Sequence, residues 1–470
     1  MEVVERFLER IDEVEPLVSA FTVVHRESAI EEARAVDRGR ISGKKLGPLA
    51  GLPMAVKDCI SVKGSQTACG SKMLEGYLPV FDATVIDRLV KKAGAIVVGR
   101  TNMDEFAMGT STESSYFGPT KNPWDLERVP GGSSGGSGAA VATREVPAAL
   151  GSDTGGSIRC PASYCGVVGI KGTYGRVSRY GLVSYANSLE QIGPMARTVE
   201  DCALLLSLMA GRDPKDSTTA DVPVPDYRGC LSDDLSGVKI GVPAEFFGEG
   251  TKDQVKKAVR DALRVLEGLG AQTVDLTLPM LEYAIPCYYL IAMSEASSNL
   301  ARYDGVRYGF SDAGQGGNWD EVFKRTRAGF GAEVRRRIIL GTYALSAGYY
   351  EMFYLKALKV RTLIRRDFDA ALRKCDVLVG PTMPGPAFKL GEKTDNPLEM
   401  YMEDVLTVPV NLAGVPSLSV PCGFVDGLPV AFQVMGKPFD EATVLKVGHA
   451  YQTKTDFHRR VPKLKGGRKN

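Results

Sequence analysis

Residues 130–159 read PGGSSGGSGAAVATREVPAALGSDTGGSIR, so two clusters of glycine and serine flank an apolar stretch. Glycine lets the backbone approach a ligand closely, and serine supplies a hydroxyl that can be made a nucleophile. A flexible linker of this composition would not be enclosed by the apolar residues 139–142 and 146–150. The segment therefore indicates two ordered loops within a folded core, and it favours serine chemistry.

Two other loop motifs share this composition. A phosphate-binding loop ends in Gly-Lys-Ser/Thr, and the G-x-G-x-x-G fingerprint follows a strand, but neither pattern is present. Residues 131–135 fit the G-x-S-x-G nucleophile elbow, which also follows a strand, and residues 127–130, Glu-Arg-Val-Pro, form a poor strand. An ordinary Ser-His-Asp triad is disfavoured as well. The chain has three histidines, all near its ends: His25, His449 and His458.

A lysine base is a candidate in place of histidine. Lys57 directly follows the apolar residues 53–56, so we expect it to be buried. Burial lowers the pKa of a lysine, and the neutral amine can accept a proton. No carboxylate should pair closely with this amine, because Asp58 should point to the opposite face of an extended segment.

Three motifs in order resemble the amidase signature family, and the resemblance covers essentially the whole chain. They are GLPMAVKD at residues 51–58, GGSSGGS at 131–137 and GSDTGGSIR at 151–159. The resemblance implies an α/β/α fold around a mixed sheet, with residues 1–470 as one amidase signature domain. It also implies a triad in which Ser157 is the nucleophile, Ser133 is the bridging serine after a cis peptide bond, and Lys57 is the base.

The turn before the nucleophile is expected to stabilise the developing oxyanion. Backbone N–H groups of Thr154, Gly155 and Gly156 can turn toward that charge. Asp153 and Arg159 are expected to brace this loop rather than to react.

Within the family, the chain is similar to the A subunits of the aspartyl/glutamyl-tRNA amidotransferases, which hydrolyse glutamine. Free glutamine carries a carboxylate and an ammonium, so its pocket needs a cation and an anion. By resemblance these are Arg337 and Asp404, with Tyr288 lining the pocket. The sequence leaves open which of Arg335, Arg336 and Arg337 points inward, and whether Tyr288 or Tyr289 lines the pocket. The similarity lies in residues 102–108, 171–179, 294–300, 337–342 and 401–407.

The resemblance implies a heterotrimer with B and C subunits and no membrane. Ammonia would pass to a partner that converts Glu-tRNA(Gln) to Gln-tRNA(Gln), and in some complexes Asp-tRNA(Asn) to Asn-tRNA(Asn). The misacylated tRNA would bind mainly through that partner. This chain would need no cofactor or metal, while ATP and magnesium would serve the complex through the partner. A stand-alone amidase acting on another carboxamide is the alternative. An inactive scaffold is disfavoured because Lys57, Ser133 and Ser157 are intact.

Composition is consistent with a folded enzyme. The chain has 470 residues, of which 44% are hydrophobic and 24% charged, and its net charge is +2, so bulk charge predicts no polyanion or membrane partner. The charged N-terminus does not resemble a signal peptide and no apolar run is long enough to span a bilayer, so we expect a cytoplasmic protein. Nine cysteines, an odd number without ligand spacing, argue against disulfides and a metal site.

Hydrophobic periodicity predicts an α/β fold with a mixed sheet. Residues 417–424 and 429–435 flank Asp426-Gly427, a signal for a β-hairpin. The basic tail over residues 463–470 is expected to be a solvated end. Helices are predicted at residues 3–14, 84–92, 252–269 and 441–452, and strands at 95–99, 238–242, 273–278 and 376–380, with a βαβ unit over 238–278.

Overall fold

The sheet at the centre of the molecule contains parallel and antiparallel strands. In the computed structural model, which describes residues 1–464, it has 11 strands in the order β1-β3-β2-β4-β6-β5-β10-β11-β9-β7-β8. The strands are β1 (Phe21–Val24), β2 (Pro53–Lys57), β3 (Ile96–Thr101), β4 (Ala148–Asp153), β5 (Val168–Lys171), β6 (Gln191–Ala196), β7 (Lys239–Pro243), β8 (Gln272–Leu276), β9 (Val377–Pro381), β10 (Ser417–Val425) and β11 (Leu428–Gly436).

Helices pack on this sheet and complete the α/β fold that was predicted. The longer helices are α1 (Glu2–Val18), α2 (Arg26–Ile41), α6 (Val199–Met209), α7 (Asp253–Gly268), α8 (Ala284–Leu300), α9 (Trp319–Arg327), α10 (Ala332–Leu345), α11 (Lys356–Leu372) and α14 (Glu441–Lys454). The shorter ones are α3 (Thr84–Ile86), which continues as a π-helical turn Asp87–Lys92, α4 (Gly135–Ala142), α5 (Arg159–Cys165), α12 (Pro397–Met402) and α13 (Val408–Ala413).

Strand β2 shows why the sheet lies between two apolar layers. Its side chains alternate in direction, as successive residues of a strand must. Met54 and Val56 belong to the larger hydrophobic cluster, whereas Ala55 belongs to a second cluster with helix α1. Both faces of the strand are therefore buried, which explains its continuous apolar sequence.

The predicted elements occur close to the expected positions. The βαβ unit is β7-α7-β8, and its two strands pair in parallel. The hairpin is β10-β11, and its turn residues Asp426 and Gly427 both have positive φ, at 52° and 80°. That conformation matches a two-residue type I′ turn. From residue 465 onward the predicted tail lies outside the described residues.

The order of strands positions the functional residues. β2 pairs in parallel with β4, with Val56 opposite Leu150, so the carboxyl ends of both strands meet at the same edge. Lys57 ends β2, and Ser152 and Asp153 end β4. The turn that carries Ser157 follows β4 directly, and it is thereby placed beside the lysine.

Candidate active site

Lys57 is completely buried at the end of β2, and its amine contacts two serines. Lys57 Nζ lies 2.7 Å from Ser133 Oγ and 2.9 Å from Ser152 Oγ. The carbonyl oxygen of Ser152 lies 3.4 Å from the same nitrogen. All three neighbours are oxygens that can accept a hydrogen bond, and two of them are hydroxyls that can also donate one.

Burial lowers the pKa of Lys57 from its ordinary value, because desolvation disfavours the charged form. In the described part of the chain no carboxylate lies within ion-pair distance of its amine. Asp58 points away and faces the buried Arg100, with 3.7 Å between its Oδ1 and the guanidinium Nε. The expectations of a buried lysine and of an Asp58 on the opposite side are therefore confirmed.

Ser133 follows a cis peptide bond with Gly132, as the resemblance implied. Gly132 packs so tightly that an added Cβ would lie 2.0 Å from Asp104 Oδ2, so no larger residue fits there. The chain then enters helix α4 at Gly135. The turn thus presents the Ser133 hydroxyl to the lysine amine from a fully buried loop.

Ser157 lies beside the Ser133 loop. Its carbonyl oxygen accepts a hydrogen bond from the Ser134 N–H at 3.1 Å, and the residue is 7% exposed. The Ser157 hydroxyl has no hydrogen-bond partner among residues 1–464. The structure therefore joins Lys57 and Ser133 by a hydrogen bond and leaves the hydroxyl of Ser157 free next to them.

Asp153 holds the turn that carries Ser157. Its carboxylate accepts hydrogen bonds from the N–H groups of Gly156 at 3.0 Å and Ile158 at 3.1 Å. It also pairs with Arg159 at 3.1 Å, with both side chains fully buried. Burial by itself raises the pKa of Asp153, but the Arg159 guanidinium and further hydrogen bonds lower it to about 2. The expectation that these two residues brace the loop agrees with this geometry.

The same contacts correct one predicted oxyanion donor. The N–H of Gly156 is directed to the Asp153 carboxylate, so it is not available to a substrate. The N–H groups of Thr154, Gly155 and Ser157 have no acceptor in the part of the chain that the structure describes. The available donors are therefore those of Thr154 and Gly155, which were predicted, and that of Ser157, which was not.

Of the three consecutive arginines, Arg337 is the one that points inward. It is 3% exposed, whereas Arg335 is exposed and Arg336 is half-buried. Arg337 Nε donates to Glu333 Oε1 at 2.7 Å and Nη1 donates to the Tyr185 hydroxyl at 2.6 Å. Its Nη2 has no hydrogen-bond partner among the described residues and can therefore serve a ligand.

Asp404 lies close to Arg337, and Tyr289 contacts both side chains. The Tyr289 hydroxyl donates to Asp404 Oδ2 at 2.8 Å, and the Tyr289 ring lies 5.2 Å from the Arg337 guanidinium carbon. Thr110 Oγ1 donates to both carboxylate oxygens at 3.1 Å. Burial raises the pKa of Asp404 to about 7, so an arriving ammonium would favour its ionised form.

Both tyrosines that the sequence could not separate are buried at the site, in different positions. Tyr289 holds Asp404, whereas the Tyr288 hydroxyl packs on the turn before Ser157. An added Cβ on Gly155 would lie 2.5 Å from the Tyr288 hydroxyl. Glycine at position 155 therefore allows the tyrosine to approach the backbone that faces the nucleophile.

Three contributors were missed by the sequence reasoning: Ser152, Glu333 and Thr110. Ser152 could be inferred only from the register of β2 against β4. Glu333 precedes Arg337 by one helical turn, which is a usable signal for an ion pair. A cavity of about 260 Å³ lies beside Arg337. Its lining includes Asp104, Thr110, Glu333, Arg337 and Tyr401.

Comparison with known proteins identifies the family of this chain. A profile of the family described as Amidase matches residues 2–445. The chain belongs to the amidase family, and it is similar over nearly its whole length to components of amidotransferases. It is 60% identical to the A subunit of the glutamyl-tRNA(Gln) amidotransferase of Carboxydothermus hydrogenoformans over 465 residues, covering 99% of this chain and 96% of that protein.

Two further relatives are A subunits of glutamyl-tRNA(Gln) amidotransferases as well. The protein of Methanosarcina mazei is 59% identical over 462 residues, covering 98% of this chain and 95% of that protein. The crystal structure of the Thermotoga maritima protein superimposes with a TM-score of 0.83 at 43% identity, covering 98% of this chain and 94% of that chain. No helix within residues 1–464 is long and apolar enough to cross a bilayer.

Proposed function

We propose that this chain is the glutaminase component of a tRNA-dependent amidotransferase. The observation that carries the proposal is the joint placement of Arg337 and Asp404 around Tyr289, next to the turn that carries Ser157. A neutral amide needs neither charge, whereas glutamine needs both. The two relatives that are 60% and 59% identical, both from glutamyl-tRNA(Gln) amidotransferases, support the same conclusion.

Glutamine binding uses the two charges in opposite senses. The free Nη2 of Arg337 donates to the α-carboxylate of glutamine, and Asp404 accepts from its α-ammonium. The tyrosine rings around Arg337 keep water away and hold the guanidinium in place. The carboxamide is thereby directed toward the free hydroxyl of Ser157.

The reaction begins with a proton transfer through Ser133. Neutral Lys57 accepts the proton of the Ser133 hydroxyl, which in turn accepts the proton of Ser157 as that hydroxyl turns toward it. Ser157 Oγ then attacks the carboxamide carbon. The N–H groups of Thr154, Gly155 and Ser157 stabilise the tetrahedral oxyanion.

Breakdown of this intermediate releases ammonia, which takes the proton back through Ser133. A glutamyl ester on Ser157 remains, and a water molecule hydrolyses it to glutamate by the same relay. In the proposed complex, ammonia passes to the partner, which uses it to amidate Glu-tRNA(Gln), or Asp-tRNA(Asn) as well. This chain itself supplies no cofactor, and ATP and magnesium act through the partner.

The complex is proposed to be a cytoplasmic heterotrimer of A, B and C subunits that binds misacylated tRNA mainly through the partner. The test is co-expression of a tagged chain with its candidate B and C partners, followed by a glutaminase assay on the purified complex. We expect both partners to copurify and glutamine hydrolysis to increase when misacylated tRNA and ATP are added. A chain that purifies alone and hydrolyses neutral aryl amides but not glutamine would instead be a stand-alone amidase.

A further inference from the structure

Ser152 contacts the proposed general base although it lies outside the three motif positions of the triad. Its side chain is 2% exposed, and it lies on β4 immediately before Asp153. It contacts Lys57 Nζ twice, through Oγ at 2.9 Å and through its carbonyl oxygen at 3.4 Å. Among the residues described, only Ser133 also forms a hydrogen bond with this amine.

The hydrogen-bond capacity of the neutral amine decides how these contacts are used. A neutral amine has two N–H donors and one lone pair, and a carbonyl oxygen can only accept. One N–H of Lys57 is therefore used by the Ser152 carbonyl. If the second N–H is donated to Ser152 Oγ, the lone pair is left for the Ser133 hydroxyl. That is the arrangement in which a proton can pass from Ser133 to Lys57.

Cys59 is placed where it can complete this assignment of donors and acceptors. Its Sγ lies 3.6 Å from Ser152 Oγ, and the group is fully buried beside the lysine. The sulfur can accept the hydroxyl hydrogen of Ser152. The Ser152 oxygen then remains an acceptor toward Lys57 and does not compete with Ser133 for the lone pair.

We propose that Ser152 is a positioning residue for the general base: it holds two N–H groups of neutral Lys57 and directs the lone pair to Ser133. The inference rests on the proposed function, in which Lys57 takes the proton from Ser133. Ser152 acts through Lys57 and does not contact the substrate. Removing its hydroxyl should therefore impair proton transfer and leave glutamine binding intact.

The electrostatic surroundings of Lys57 determine what a pH profile would report. Burial is the largest influence and lowers its pKa, while the surrounding acidic groups raise it. Asp58 is engaged with Arg100 on the other side of the strand. A Ser152→Ala substitution removes none of these ionisable groups, so a change in the profile would report the lost hydrogen bonds of the Ser152 hydroxyl, those to Lys57 and Cys59. The groups that act on the lysine are Cys59, Cys69, Asp104 and Asp153.

The experiment compares the pH dependence of glutamine hydrolysis by the purified complex containing wild-type chain or Ser152→Ala. We expect kcat to fall roughly 10- to 100-fold, because the amine is no longer held in the reactive orientation. KM for glutamine should change less than about twofold, because Ser152 does not contact the substrate and its loss leaves uniform binding unchanged. The acid limb should move to lower pH, since the lost acceptor stabilised the ammonium more than the amine.

A matched control removes a buried strand serine that is remote from Lys57. Ser419 lies fully buried on β10, where its hydroxyl contacts Thr382 Oγ1 at 3.1 Å. Ser419→Ala should leave both kcat and the acid limb unchanged. Ser152→Thr keeps the hydroxyl on a strand, which suits a β-branched residue, and should restore most of the rate and the wild-type limb.

If Ser152→Ala does not fold, Ser152→Cys in the presence of a reductant preserves side-chain volume with a weak acceptor, and the same shift is expected. A folded Ala or Cys variant with wild-type kcat and an unmoved acid limb would overturn the inference. So would an equal fall in kcat with no movement of the limb, which indicates a packing role. A wild-type complex without glutamine hydrolysis would instead overturn the proposed function.

Discussion

At the scale of single residues, Ser157 is the position on which the proposed chemistry depends. Ser157→Ala should abolish acyl-enzyme formation, because Ser133 is engaged by Lys57 and cannot replace the free hydroxyl. Mass spectrometry after reaction with a serine-reactive amide analogue should locate the adduct on the peptide that contains Ser157. Ser163→Ala, in the following helix α5, serves as the control and should keep the adduct. An adduct on Ser133 in the wild-type chain would reverse the assigned roles.

The second prediction at this scale concerns Lys57 and the dependence of activity on pH. Only the neutral amine can act as a base, so activity should rise with pH through the lowered pKa of this lysine. Lys57→Ala should lose about 100-fold or more of kcat, the typical contribution of a general base. Lys57→Arg should lose as much, because arginine stays charged. An arginine variant with near-normal hydrolysis would assign Lys57 an electrostatic or structural role.

Arg337 determines specificity in our proposal, and its substitution separates binding from chemistry. Arg337→Lys keeps the charge but loses the planar fork and its contacts with Glu333 and Tyr185. We expect KM for glutamine to rise about 10-fold or more, which corresponds to about 1.4 kcal/mol. Hydrolysis of an uncharged aryl amide should be little affected, and Arg335→Lys on the exposed side should match wild type. Equal losses for both substrates would place Arg337 in the fold rather than in the pocket.

At the scale of elements, the turn between β4 and α5 is held by one buried ion pair. Asp153→Asn leaves the Arg159 guanidinium without its charged partner, so the free energy of unfolding should fall by about 3 kcal/mol, as for other broken buried pairs. In the folded wild-type protein the pKa of Asp153 is about 2, below its ordinary value of 3.8. The ionised carboxylate therefore stabilises the fold above pH 3.8, and this contribution is lost as pH falls toward 2. Chemical denaturation of both proteins between those pH values should show a larger loss in wild type than in the variant. A pH dependence that persists unchanged in the variant would contradict this assignment.

How far the sequence predicts each element depends on the kind of signal it contains. The strand, helix and hairpin patterns were readable because their periodicity and turn residues are local. Helix α10 was not readable in the same way, since Ile339 and Leu340 are exposed on it while Arg337 is buried. The inward arginine therefore opposes the hydrophobic pattern. Periodicity alone could not identify it, and the family resemblance, which indicated Arg337, still left Arg335 and Arg336 open until the helix was placed against its neighbours.

The oxyanion turn illustrates a second limit. A glycine-rich loop before a nucleophile predicts that backbone N–H groups face the substrate, but it does not say which ones. The Asp153 side chain takes the N–H of Gly156, and this choice depends on the three-dimensional path of the loop. The contact of Ser152 with Lys57 could not be predicted for a related reason. It depends on the register between the parallel strands β2 and β4, which the sequence of neither strand determines.

At the scale of the whole molecule, we expect glutamine hydrolysis to need no metal, because in the proposed relay Lys57 is the base. The described residues contain no group of three His, Cys, Asp or Glu side chains that could hold a metal ion. Glutamine hydrolysis by the complex should therefore survive prolonged dialysis against a chelator. Transfer of ammonia to tRNA should stop under the same treatment, since we propose that ATP and magnesium act through the partner. Hydrolysis that is lost on dialysis and restored by zinc would reveal a site that this scheme lacks.

The position of the β10-β11 hairpin in the sheet has a consequence for how the protein is made. Within residues 1–464 these two strands follow all the others along the sequence, yet they lie between β5 and β9 and connect the two parts of the sheet. A chain still emerging from the ribosome holds Lys57, Ser133 and Ser157 long before this central piece has been translated. The two parts of the sheet can therefore be joined only after residue 436 has been translated, so we expect a nascent chain that lacks residues 417–436 not to hydrolyse glutamine.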